Sequence, residues 1–216
     1  MIDPQQFALF FAAALLLAAT PGPGIFYVAA RTLSGGRGEG IASSFGNGLG
    51  GLVHVAAGAV GVSALVLASA HLFTMLKLIG AAYLVWIGFR TILAARSDAL
   101  AIAAGLEPAP SVGARRAFRE GIMVEALNPK TAAFFLAFLP QFVDLSAGNV
   151  ALQFIILGVV SVTLNTLADL VVALLAGRAH SSLSAKPGLV RRVREISGGA
   201  MVFLGLGLFL ARRPAS

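Results

Sequence analysis

Six long apolar blocks, 7–30, 41–70, 73–95, 121–143, 150–176 and 196–211, make up most of this chain. About 20 such residues cross roughly 30 Å of hydrocarbon as a helix, and lipid offers a backbone amide no partner outside the helix itself. The sequence therefore predicts an all-α, polytopic membrane protein of six transmembrane helices, with 1–216 as a single membrane transport domain. The last block is short, and only 70–72 separate the second from the third, so five crossings is the competing count. Soluble domains run near 45–50% apolar and 25% charged. Here 58% of residues are hydrophobic and 12% charged, which leaves no stretch for an appended catalytic module.

The chain carries 16 Lys+Arg against 9 Asp+Glu, a net charge of +7. Nucleic acid or an anionic surface can demand such a balance, but in a membrane chain it follows from loop bias, and no nucleic-acid partner is expected. Twelve basic residues fall in or beside the first, third and fifth loops: Arg31, Arg37, Arg90, Arg96, Arg115, Arg116, Arg119, Arg178, Lys186, Arg191, Arg192 and Arg194. Lys77, Arg212 and Arg213 lie on the opposite side, and Lys130 lies within a span. The basic side stays in the cytoplasm, so both termini are expected outside. The opening segment lacks a basic n-region and continues apolar past Tyr27, which reads as a retained first span rather than a signal peptide. The third loop reads as a linker, 99–110, followed by an interfacial basic run from Arg115 to Glu120. With no cysteine, disulfides and thiolate metal sites are excluded.

Internal repetition is faint. Gly80 and Gly88 in the third block match Gly199 and Gly207 in the sixth, each pair following a basic turn. Duplication of three helices would make the second copy enter from the other side, a 3+3 inverted repeat.

Two helix interruptions carry the sharpest chemistry. Thr20-Pro21-Gly22-Pro23-Gly24 and Asn128-Pro129-Lys130 each read as a capping residue followed by proline, the signature of a helix that restarts. A restart inside the bilayer offers free N–H groups and a positive dipole end, which favour a carboxylate. The competing reading is a packed kink. Both breaks fall toward the cytoplasmic side, where they can meet; Pro140 is then the better symmetry counterpart of Pro21.

Ionisable residues within apolar helices are costly and must face protein or water. Asp169 is the clearest, sharing a helix face with Asn165 at i, i+4; it suits a coupling proton or a substrate ammonium, with a structural ion pair to Lys130 as the alternative. Lys130 suits a substrate carboxylate, and Glu125 precedes the second break closely enough to reach the same cavity or simply to be solvated near the interface. In the second block Asn47 and His54 share a face at i, i+7, and His54 is a further proton-carrier candidate, with a hydrogen-bonded structural histidine as the more economical reading. The surrounding run Gly46 to Gly51 suits close helix packing. Tyr83, Trp86 and the phenylalanines Phe134, Phe135 and Phe138 read as packing or lipid-facing groups. No nucleophile elbow, phosphate loop or metal-spaced cluster is present, so no enzyme activity, cofactor or metal is expected.

Thr20-Pro21-Gly22-Pro23, Gly80-Ala81-Ala82-Tyr83-Leu84, and Leu127-Asn128-Pro129-Lys130-Thr131 followed by Phe138-Leu139-Pro140-Gln141-Phe142 together resemble the LysE-type translocators, over essentially the whole chain. The resemblance implies export of amino acids or close analogues from the bacterial cytoplasm across the inner membrane, by exchange with protons. It carries substrate binding to Pro21, Gly22, Pro23, Asn128, Pro129 and Lys130. It leaves open which amino acid is carried and whether protomers pair as a homodimer. A membrane-embedded interaction protein and a metal-ion or small-solute exporter are the competing classes. In the working mechanism the substrate sets its carboxylate against the restarted helices and its ammonium toward Asp169; Thr20, Asn47 and Asn165 are further substrate-binding candidates.

Overall fold

The computed structural model describes residues 4–68, 70–103, 110–144, 147–176 and 187–210. They form seven α-helices: α1 (Pro4–Ala19), α2 (Pro23–Ala68), α3 (Ala70–Ala103), α4 (Ala114–Ala126), α5 (Pro129–Ala133), α6 (Val150–Ala176) and α7 (Pro187–Leu210). Helix α5 runs on through a π-helical turn, Phe134–Phe138, and a 3-10 turn, Leu139–Phe142, which holds Pro140. Of the basic residues in the charge count, Arg178, Lys186, Arg212 and Arg213 lie outside the described residues.

Two stretches are long and apolar enough to cross a membrane unaided, Leu78–Ser97 in α3 and Val150–Leu175 in α6. Two bent pairs qualify if each counts as one span: α1 with α2 at 44°, and α4 with the α5 segment at 41°. That gives two to four candidate spans among the described residues. The six blocks do not all reappear as separate helices, for identifiable reasons. Within the expected loop 31–40, Gly36 (φ 78°, ψ −176°) is non-helical and kinks α2, so that two helical segments meet there. Only glycine occupies that backbone region without strain. Helix α3 extends through part of the expected 99–110 linker, to Ala103. Helix α7 begins nine residues earlier than the sixth block, at Pro187, a residue suited to a first helical turn. It therefore includes Arg191, Arg192, Arg194 and Glu195, whose charge dilutes its apolar length.

The outward faces support lipid as solvent. Leu9, Val60, Leu93, Ile196 and Phe203 are each at least 66% exposed, a pattern that a water-facing monomer avoids. Inside, α2 packs against α4 and α6, and α3 against α7. Phe10, Phe134, Phe135, Phe154 and Leu157 fill the centre where the π-helical turn meets α1 and α6, so the phenylalanines of that turn are core, not lipid-facing. Small residues set the helix separations: a methyl group at Gly50 would lie 2.5 Å from Ile122 O of α4. The glycines matched between the third and sixth blocks are not equivalent. Gly88 faces the α7 backbone at Gly198, whereas Gly199 and Gly207 face nothing within 4 Å.

At the basic end, one carboxylate ties the α2 kink to the start of α4. Glu39, 3% exposed, has its Oε1 accepting from Ser111 Oγ (2.5 Å) and from the amides of Val112 (2.9 Å) and Gly113 (2.7 Å). Arg31 approaches its other oxygen at 3.8 Å and donates to Pro110 O. Burial alone would raise this carboxyl, but the three hydrogen bonds and the Arg31 charge hold it below its ordinary value of 4.5. A depressed carboxyl contributes stability above its ordinary value and loses it as pH falls through the lowered one. Hydrogen exchange should therefore show protected Val112 and Gly113 amides at neutral pH and lost protection in strong acid. In Glu39→Gln the protection should already be reduced at neutral pH.

Candidate functional site

The two interruptions meet. Helix α1 ends at Ala19, where Thr20 Oγ1 donates back to Leu16 O at 2.7 Å and so closes the end of α1. Thr20 therefore does not cap the restart of α2 as its place before Pro21 suggests, because its hydroxyl is spent on the carbonyl four residues earlier. Asn128 does cap its restart: its Oδ1 accepts from the Lys130 amide at 3.0 Å, and Pro129 occupies the first helical position. Lys130, 4% exposed, spans the gap between the breaks, and its Nζ donates to Thr20 O at 2.9 Å and Leu17 O at 3.3 Å. The carbonyls of Leu17, which also accepts from the Thr20 amide at 3.1 Å, and Thr20 thus receive a cation where α1 ends, as a helix C-terminus favours. Gly22 makes room for it: a methyl group there would lie 3.2 Å from Lys130 Cε.

Beside this junction lies a polar pocket walled by α2, α4, α5 and α6. Glu125 of α4 and Asp169 of α6 supply two carboxylates, 7% and 4% exposed. Glu125 accepts from Asn128 Nδ2 at 2.8 Å and from Thr131 Oγ1 at 2.6 Å. Asp169 Oδ2 accepts from Asn47 Nδ2 at 2.8 Å, leaving Asn47 Oδ1 buried without a hydrogen-bond donor among the described residues. Among the described residues no ion pair reaches either acid, so the Lys130–Asp169 bridge entertained from sequence is not formed. The first turn of α2 abuts Glu125: a methyl group at Gly24 would lie 2.7 Å from its Oε2. The restarted helix end therefore faces an acid of the protein itself. The hollow left between these groups is about 10 Å³, room for about one water.

Of the residues singled out from sequence, Asn47, Glu125, Asn128, Lys130, Asn165 and Asp169 line this pocket together. Pro21, Gly22, Pro23 and Pro129 do not; they border a second, larger cavity that Lys130 also lines. His54 lies outside both, its Nε2 donating to Glu125 O at 2.9 Å and its ring stacked on Phe135. That bond ties α2 to the end of α4 beside Glu125. Thr131, which holds Glu125, went unmarked in the sequence, although its place three residues after Asn128 puts it on the same helical face.

Comparison with known proteins decides the family. The pattern of the LysE type translocators matches residues 15–213. The chain belongs to that family. Over 214 residues it is 28% identical to an uncharacterized membrane protein of Vibrio cholerae, covering 99% of this chain and all of the relative. A homoserine/homoserine lactone efflux protein of Salmonella typhimurium is 31% identical over 91% of this chain and 92% of its own length. A leucine efflux protein of Enterobacter sp. is 28% identical over 70% of each chain. No solved structure matches. As a LysE-family translocator, the chain is a multi-pass bacterial membrane transporter and not an enzyme, with distant relatives that export amino acids.

Proposed function

We propose that this protein exports an amino acid from the cytoplasm in exchange for protons, and that the alternating ligand of its polar pocket is either the substrate ammonium or a proton. The observation that carries this reading is the pair of buried carboxylates, Glu125 and Asp169, on separate helices and without an ion pair among the described residues. Ionised acids so deep in a membrane protein require a cation or a proton nearby. An amino acid supplies the cation in one half of a transport cycle and solvent the proton in the other. The substrate carboxylate goes to Lys130, whose Nζ is otherwise spent on two backbone carbonyls. This revises the working mechanism, because Glu125 already occupies the restarted end of α2. The pocket, with room for about one water, then corresponds to a closed state that must open to admit its cargo.

The same reading takes the six apolar blocks as six spans in a single transport domain, arranged as a 3+3 inverted repeat with both termini outside. Support comes from the broken helix at the start of each half, bent by 44° and 41°, and from the basic residues gathered on one side. The substrates named for the relatives make homoserine and leucine the first to test. Vesicles containing the purified protein and unlabelled homoserine or leucine should accumulate the labelled compound transiently against its gradient. A flat response to both and to a wider amino-acid panel, in folded protein, would favour a membrane-embedded interaction role.

A further inference from the structure

A second cavity, of about 410 Å³, lies on the other side of Lys130, between the start of α2 and helices α3, α5 and α7. Its lining has a different character from that of the polar pocket. Arg90, Lys130 and Arg194 contribute cationic side chains and, among the described residues, no Asp or Glu takes part, while Phe26, Tyr83 and Trp86 supply an aromatic wall. The arginines are held over that wall, Arg194 Cζ at 4.4 Å from the Phe26 ring centre and Arg90 Cζ at 5.2 Å from that of Trp86. Tyr83 and Trp86 stack at 5.5 Å. Cation–π contact holds a guanidinium over an aromatic face, and a guanidinium fork matches a carboxylate in shape.

We propose that this cavity is the cytoplasmic vestibule of the transporter, where an α-amino acid with an apolar side chain is held before Lys130 moves aside. The inference rests on the exporter reading and names its substrate class. Three observations converge on it. Cations with an aromatic wall fit a carboxylate joined to an apolar chain, and repel the side chains of lysine or arginine. The volume, unlike that of the polar pocket, falls in the range of small-molecule sites, about 300–1,000 Å³. Lys130 lines both cavities, its stem against Gly22 and its Nζ on the end of α1, so release of those two carbonyl bonds joins them. The carboxylate then follows Lys130 inward while the ammonium meets Glu125 and Asp169.

Trp86 is the chain's single tryptophan, which gives the vestibule its own probe. In nanodiscs of zwitterionic phospholipid, L-leucine should change Trp86 emission saturably, whereas L-leucine amide, which lacks the carboxylate, and L-lysine should not. Arg90→Gln and Arg194→Gln should each weaken the leucine response about tenfold, the scale of one charge-assisted hydrogen bond. Trp86→Ala, which removes the probe, should raise the half-saturating leucine concentration in counterflow while shifting that of glycine less. Asp169→Asn should lose proton-coupled efflux yet keep the Trp86 response. A wild-type protein that transports leucine without any Trp86 response, and whose Trp86→Ala variant has an unaltered leucine half-saturation, overturns the vestibule and leaves the exporter reading intact. Emission that responds to added anionic phospholipid and not to leucine also overturns it, by assigning the cavity to a lipid headgroup. A saturable leucine response in protein that transports no amino acid leaves the vestibule standing and sinks the exporter reading.

Discussion

Asp169→Asn should abolish proton-coupled amino-acid efflux while leaving insertion and folding intact. The substitution keeps the side-chain volume and an oxygen able to accept from Asn47 Nδ2, so that hydrogen bond survives with correct orientation of the new amide. It removes the negative charge and the site that takes up a proton. A charge-assisted hydrogen bond is worth roughly 1.5–3 kcal/mol, and its loss to a substrate ammonium alone weakens binding by about ten- to a hundredfold. The loss of proton uptake then stops the cycle. Efflux from vesicles with an acid exterior should fall to the level of empty vesicles, with the melting temperature in detergent unchanged. Efflux at the wild-type rate would remove Asp169 from the mechanism.

Gly50→Val should strongly damage folding. A Cβ at Gly50 meets backbone on two sides, Ile122 O at 2.5 Å and Ala126 N at 2.9 Å, with the Glu125 Cβ at 3.0 Å. Backbone cannot swing away as a flexible side-chain tip does, so α2 and α4 must separate. Overpacking of this kind costs about 1–3 kcal/mol and occasionally more. Without water to drive helices together, their association in lipid depends on this close approach. Thermal melting in detergent should shift clearly downward, and transport should fall with it because α4 carries Glu125. Gly38→Ala is the matched control, since nothing lies within 4 Å of a methyl group there, and should melt as the wild type does. Unchanged melting of the Gly50 variant would mean that the α2–α4 crossing is looser than the structure has it.

The parts of the molecule that a sequence expresses locally were legible in it. The block 150–176 is α6 to the residue, because its composition alone fixes a helix of that length. Asn128 and Pro129 restart a helix as their chemistry requires. The acids of the pocket were found because a charge inside an apolar block has few excuses. What the sequence hid depends on relations between distant segments. Thr20 bonds back to the Leu16 carbonyl of α1 rather than forward to the next helix. Gly36 narrows the expected loop to a sharp kink between two helical segments. Lys130 chose the carbonyls of α1 over Asp169, and only the approach of the two breaks makes that possible. Tyr83, Trp86, Arg90 and Arg194 are unremarkable on their own helices, and they form a cavity wall only once α3, α7 and the start of α2 come together.

Simultaneous readout of both ligands tests exchange at Glu125 and Asp169 most directly. Vesicles holding labelled homoserine or leucine together with a trapped pH indicator can be diluted into medium of lower pH. Exchange predicts that label leaves and the interior acidifies in step, faster than in vesicles without protein, with both signals lost in Asp169→Asn. Label that leaves at the same rate with and without the pH difference, and with no response from the indicator, would contradict it.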